Sequence, residues 1–129
     1  MSKNFLFIVI SIMLVFGVSS CANPATVTNS NISVEQAEEI YSAGGAFFLD
    51  VREVDEWNQG HIKGATLIPL GELEQRYNEL PKDQPIVVYC RSGNRSLTGR
   101  DILLEAGFED VVSMDGGIID WAQSGFPIE

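Results

Sequence analysis

Unbroken apolar runs of strand length alternate along this chain with stretches whose apolar residues recur at helical spacing. Val34, Ala37, Ile40 and Tyr41 form the first helical set. Ser33 and Gln36 make a capping-box pattern at its start, and Gly44-Gly45 end it. Ala46-Phe47-Phe48-Leu49 is a strand-length run that ends at Asp50-Val51-Arg52. Glu53 to Asn58 reads as one short helical stretch, and Gly60 to Ala65 as a glycine-bounded turn. Thr66-Leu67-Ile68-Pro69 is a short strand closed by proline. Leu70, Leu73, Tyr77 and Leu80 predict an amphipathic helix ending before Pro81. Pro85 to Tyr89 is the next strand, and Leu97 to Ala106 the next helix, with Gly107 as its C-terminal glycine. Val111-Val112-Ser113 is a last short strand. Asp115-Gly116-Gly117 then turns into a final helix through Trp121.

Strands that alternate with helices imply an α/β protein: three layers, α/β/α, around a mainly parallel central sheet. The strands show no polar alternation, as burial on both faces requires. Ligands in such folds bind outside the carboxyl ends of the strands. Asp50, Cys90 and Asp115 all fall at such ends and are expected along one edge, with the order of neighbouring strands left open.

A length of 129 residues suits one domain. The 45% hydrophobic and 20% charged content exclude disorder and a wholly membrane-embedded fold. A formal charge of -10 argues against a nucleic-acid partner and reads as solubility. The two cysteines, Cys21 and Cys90, form no C-x-x-C pair, zinc spacing or disulfide framework. With His61 the only histidine, neither a metal site nor a cofactor is expected.

Residues 1–20 read as an address, not as part of the fold. Lys3 precedes an apolar run of 14 residues, Phe5 to Val18. That is short of the about 20 needed to span a bilayer and suits the core of a signal peptide. Val18-Ser19-Ser20-Cys21 resembles the lipobox of bacterial lipoproteins, which implies acylation of Cys21 as the new N-terminus. Residues 21–31 then form a polar tether, and residues 32–129 the domain. The expectation is an exported protein of the periplasm or cell envelope, lipid-anchored to a membrane. Removing Lys3 from the eight basic residues leaves seven. Three of these, Arg91, Arg95 and Arg100, lie on or just after one cysteine loop.

That loop is Cys90-Arg91-Ser92-Gly93-Asn94-Arg95-Ser96, between a strand and a helix. Arginine neighbours and a helix N-terminus lower a thiol's pKa, from about 8.5 into a range of about 3.5 to 7.5. Gly93 lets successive amides turn inward as an anion-binding nest. Ser92, Asn94 and Ser96 can point short polar groups at a charged sulfur. A buried, inert cysteine would not account for these neighbours. Cys90 is therefore the candidate nucleophile, with residues 91 to 96 as its substrate-binding loop.

Leu49-Asp50-Val51-Arg52-Glu53, Glu56-Trp57, Gly60-His61-Ile62-x-Gly64-Ala65, Ile68-Pro69-Leu70, the strand and loop from Val87 to Ser96, Gly107-Phe108 and Met114-x-Gly116-Gly117-Ile118-x-x-Trp121 together resemble single-domain rhodaneses, the thiosulfate sulfurtransferases. The resemblance implies that family's fold. It implies that Cys90 takes the sulfane sulfur of thiosulfate or a similar donor as a persulfide, and that cyanide or a thiol accepts it. Arg95 is assigned to anion binding or to tying the loop down, and Arg91 to the pocket rim and the thiolate. Asp50 and Arg52 support the site, either directly or as a buried ion pair. His61 reads as a hydrogen-bonded turn residue, and Trp57 and Trp121 as core or pocket wall. Related phosphatases of the cell-division type and arsenate reductases place five residues between cysteine and arginine. Four stand here, a tighter ring suited to sulfur. A membrane-tethered persulfide carrier or docking module is the other reading.

Overall fold

The computed structural model describes residues 31–129. The expected leader, Cys21 and the tether up to residue 30 lie outside the described residues.

Four short parallel strands make the central sheet: β1 (Phe47–Asp50), β2 (Thr66–Leu67), β3 (Ile86–Tyr89) and β4 (Val111–Ser113), in the order β2-β1-β3-β4. Leu49 pairs with Val88, and Val88 with Ser113, so β3 runs through the centre. Every residue of β3 is buried. Ile86 and Val88 face one core with Leu49, Leu73, Leu103 and Phe108. Val87 and Tyr89 face the other with Phe48, Met114 and Trp121. Helices cover both faces: α1 (Val34–Ala43), α2 (Val54–Asn58), α3 (Leu73–Arg76), α4 (Asn94–Glu105) and α5 (Gly117–Gln123). The expected three-layer α/β/α architecture is what forms, and its sheet is wholly parallel.

Local signals act where they were expected. The Ser33 hydroxyl accepts the Gln36 amide and the Gln36 side chain accepts the Ser33 amide, closing the capping box of α1. After α4, Gly107 takes a φ of 94°. Its N–H reaches the Leu104 carbonyl, while Phe108 N–H reaches Leu103, a Schellman ending.

Two elements differ from expectation. The stretch from Leu70 to Leu80 is a 3-10 turn (Leu70–Glu72), one α turn (α3) and a second 3-10 turn (Tyr77–Glu79). Its apolar steps of three, four and three residues fit this division, because a 3-10 turn repeats every three residues. Leu73 and Leu80 are buried all the same. The second difference bears on the site. Helix α4 begins at Asn94, not at Leu97, so Asn94, Arg95 and Ser96 form its first turn. Gly93, at a φ of 102°, is the cap that lets the chain enter the helix so soon after Cys90.

Candidate active site

Cys90 follows directly on β3, the strand beside β1, and β2 lies on the other side of β1. The winding thus reverses between β1 and β3, which is where a doubly wound sheet leaves a crevice at its carboxyl edge. Asp50 ends β1 at the same level, paired with Tyr89. Asp115 comes to this edge by its backbone, against Gly93, but lines a separate depression with Ser33 and Asp120.

The loop is a cradle because its carbonyls are drawn outward. The Cys90 carbonyl accepts the Ile118 N–H at 2.9 Å, and the Arg91 carbonyl accepts the Ile119 N–H at 3.2 Å. Both donors belong to the start of α5. The loop amides are left to face inward, and Gly93 N–H reaches Cys90 Sγ at 3.1 Å. The sulfur lies 3.6 Å from Ser96 Oγ, and Ser96 Oγ in turn accepts the Ser113 hydroxyl at 2.7 Å. Cys90, Ser96 and Ser113 are all buried. With Ser113 donating to it, the Ser96 hydroxyl is free to donate its own proton to a thiolate. Burial pushes the Cys90 thiol up, but the Ser96 hydroxyl and the Ser96, Gly93 and Ser92 amides outweigh it, and the net shift is downward. The positive end of α4, which begins four residues on, acts in the same sense.

Ser113 carries no signal in the sequence: a serine at the end of a short strand looks like any strand terminus. Its role predicts that Ser113→Ala raises the pKa of Cys90 by about half a unit to one unit, the worth of one hydrogen bond. The alkylation rate of Cys90 measured against pH should move upward accordingly, and an unmoved profile would remove Ser113 from the site.

The two loop arginines have different situations. Arg95 grips Glu56 with both terminal nitrogens, at 2.7 and 2.8 Å, and so ties the loop to α2. Arg91 is exposed, and among the described residues it is the one arginine without a carboxylate partner. The cation open to an anion is thus Arg91, while Arg95 takes the tying role. Ser92 and Asn94 expose their side chains, and the Ser92 contribution to the sulfur comes from its amide.

Glu56 escaped the sequence reading as a site residue, although its place three residues after Glu53 marks a helix start. Its bonds from Arg95 hold its carboxyl at about 2, against an ordinary 4.5. A carboxyl depressed on folding stabilises above its unfolded pKa and loses that contribution as the pH falls through the folded one. Glu56→Gln is therefore expected to be less stable than the parent at pH 7, by about 1 kcal/mol for a partly exposed pair. The gap should narrow as the pH falls through 4.5 and close near 2. Urea denaturation of both proteins across that range checks it.

Asp50 and Arg52 form the buried ion pair. Arg52 Nη2 reaches Asp50 Oδ2 at 2.7 Å and the Gly60 carbonyl at 2.8 Å. Arg52 Nε and its amide also bond to Asp50. The pair fixes the Gly60 turn against β1, so its support for the site is indirect. His61 is held as a turn residue: Nδ1 donates to the Trp57 carbonyl at 3.1 Å, and the ring stacks on Trp57 at 3.5 Å. Trp121 is fully buried in the core. Among the described residues no group of three or more His, Cys, Asp or Glu side chains comes together. Beside the loop lies an open cleft of about 440 Å³, bordered by Arg91, Glu56 and the first turns of α5.

The chain is similar to known proteins. Residues 33–124 match the family described as the rhodanese-like domain. A sulfurtransferase of Allochromatium vinosum is 34% identical over 102 residues, covering 79% of this chain and 95% of that protein. YrkF of Bacillus subtilis, a putative sulfur carrier protein, is 42% identical over 73 residues, 57% of this chain and 40% of that protein. The crystal structure of a rhodanese-related protein from Thermoplasma volcanium superposes with a TM-score of 0.72 at 31% identity, covering 78% of this chain and 97% of that one. The matched residues enclose every element from α1 to α5, and on that ground the chain belongs to the rhodanese-like domain family.

Proposed function

We propose that the protein is a sulfurtransferase that moves the sulfane sulfur of thiosulfate, or of a similar anionic donor, through a persulfide on Cys90. The observation that carries this reading is the sulfur cradle: Sγ under the Gly93 amide at 3.1 Å, with the Ser113–Ser96 hydroxyl chain behind it and a lowered thiol pKa. Both the sulfurtransferase and the sulfur-carrier relative agree with sulfur transfer as the general chemistry.

In the first step the Cys90 thiolate attacks the outer sulfur of the donor. A new S–S bond forms, the donor's S–S bond breaks, and its electron pair leaves with sulfite. The inward amides meet the charge of the bound persulfide with fixed dipoles, as an oxyanion hole does. A nucleophile, cyanide in an assay or a thiol, then takes the outer sulfur and frees the Cys90 thiolate. No histidine base is required, because a thiolate enters and a stable anion leaves.

Phosphate chemistry fits less well. Only four residues separate Cys90 from Arg95, and Arg95 is occupied by Glu56, which leaves a tetrahedral dianion one free guanidinium. The test is mass spectrometry after exposure to thiosulfate, with thiocyanate measured on adding cyanide. A gain of one sulfur on Cys90 is expected. Hydrolysis of an aryl phosphate without any such gain would overturn the reading. A persulfide that passes only to one partner protein would favour a carrier, a reading with which the likeness to YrkF agrees.

We also propose, from the apolar run of residues 5–18 and the Val18-Ser19-Ser20-Cys21 string, that the site works outside the cytoplasm. Residues 1–20 would be removed on export, and Cys21 acylated to hold the domain near a membrane. Incorporation of labelled fatty acid into the wild type but not into Cys21→Ala tests this.

A further inference from the structure

We propose that Ile32, just ahead of α1, is a positioning residue for the Cys90 thiolate. The inference deepens the sulfur-transfer reading above and rests on it for what the thiolate does.

β4 is the outer strand of the sheet, and Ile32 lies beside it in a parallel bridge with Met114. Ile32 stands one residue before the stretch that matches the family, residues 33–124. Its N–H donates to the Ser113 carbonyl at 2.9 Å, and its carbonyl accepts the Asp115 N–H at 2.8 Å. These two bonds fall on successive peptide groups. The first peptide joins Ser113 to Met114, and its other end is held as well: Met114 N–H donates to the Val88 carbonyl at 2.9 Å. A peptide group is a rigid plane, so this one is pinned between β3 and Ile32. The second peptide joins Met114 to Asp115. Its carbonyl lies against the loop, since a Cβ on Gly93 would stand 3.5 Å from the Met114 oxygen.

Both peptides lead to the sulfur. The hydroxyl carried by Ser113 reaches Ser96 Oγ at 2.7 Å, and Ser96 Oγ lies 3.6 Å from Cys90 Sγ. Gly93 brings its amide to Sγ at 3.1 Å. Hydrogen bonds weaken steeply as they bend, so a tilt of the first peptide would slacken the hydroxyl chain behind the thiolate. Ile32 is itself well anchored. Its half-buried side chain packs on the core that holds Phe48, Met114 and Trp121. Asn31, just before it, accepts Arg100 Nη1 of α4 on its Oδ1 at 2.7 Å. A site is held only as firmly as the groups behind its hydrogen-bond partners, and here those groups include the chain before α1.

The experiment measures the alkylation rate of Cys90 against pH in the full chain. Ile32→Pro removes the N–H and keeps an apolar side chain. It is expected to raise the midpoint by about half a unit, the scale of one weakened hydrogen bond to the sulfur. Ile32→Val, which keeps both backbone bonds, should keep the parent profile. Sulfur loading from thiosulfate in Ile32→Pro should slow about threefold below the midpoint, the thiolate lost to half a unit, and recover well above it. A general loss of structure would slow loading at every pH. In a Ser113→Ala background, Ile32→Pro should move the midpoint by less than half as much, because the path is already cut. Should proline at this position prevent folding, Ile32→Gly takes its place: it keeps the amide, loses the packing that seats it, and should move the midpoint the same way. An unmoved midpoint in the folded variant would overturn the inference, as would half or more of the shift surviving in the Ser113→Ala background. Loading of the parent by thiosulfate is scored separately. If Cys90 loads and the midpoint does not move, this inference alone falls; if Cys90 never loads, the sulfur-transfer reading falls and takes this inference with it.

Discussion

Cys90→Ser is expected to end sulfur transfer, with thiocyanate formation at the uncatalysed rate and no mass gain after exposure to thiosulfate. The reason is chemical before it is structural. An alcohol is a far weaker acid than a thiol, and the cradle has only a few hydrogen bonds with which to lower a pKa. The dipoles that stabilise a thiolate at Cys90 do not generate an alkoxide. The variant should still fold. Its hydroxyl would meet the same Gly93 amide and Ser96 hydroxyl that now serve the sulfur. A buried polar group with partners is tolerated, whereas an orphaned one costs about 1 to 3 kcal/mol. Cys90 is also the one free cysteine among the described residues, so no neighbouring thiol stands ready to substitute. Sulfur transfer retained by a folded Cys90→Ser protein would disprove the assignment.

The fold was legible in the sequence to the degree that local pattern decides it. Runs such as Val87-Val88-Tyr89, without polar alternation, pointed to strands buried on both faces, and parallel pairing follows from that. Ser33, Gly107 and the glycines after Met114 mark ends whose chemistry is local. The stretch from Leu70 to Leu80 was harder. Its spacing identifies the face to be buried, but not how tightly each turn winds, and the 3-10 turns emerge only against the core. The start of α4 was missed for a related reason. Asn94 and Ser96 are residues that favour caps and loops, and only the left-handed Gly93 shows that they lie inside the helix. At the site, Cys90 and the loop that cradles it stand in one heptapeptide, so the candidate nucleophile and its cradle are local in the sequence. Their supports are not. Glu56 is 39 residues from Arg95, and Ser113 is 17 from Ser96. Such pairs depend on strand order, which the sequence left open. The choice between two roles for Arg95 likewise waited on Glu56.

Gly117→Ala is expected to damage the site more than any other single methyl group. Gly117 opens α5 at a φ of 59°, where any other residue is strained. A Cβ there would lie 2.3 Å from the Arg91 carbonyl oxygen and 2.5 Å from that of Cys90. These atoms are backbone, so no side chain can swing away. They are also the carbonyls that α5 holds outward to leave the loop amides facing the sulfur. To admit the methyl group, the loop must move off α5 and the cradle must open. Left-handed strain and overpacking each cost about 1 to 3 kcal/mol, so a stability loss of about 2 to 6 kcal/mol is expected from the two together. Displacement of a reacting group by about 1 Å can cost about 100-fold in rate. Gly44→Ala is the matched control. Its φ of 74° is also positive, with a ψ of 175° that is likewise reserved for glycine, but its Cβ would have nothing within 4 Å. It should lose about 1 to 3 kcal/mol of stability from strain alone and keep the activity of the parent. Thermal unfolding, together with persulfide formation per folded molecule, separates the two effects. If Gly117→Ala loads sulfur as fast as Gly44→Ala, then the close contact of α5 with the loop is not what shapes the cradle.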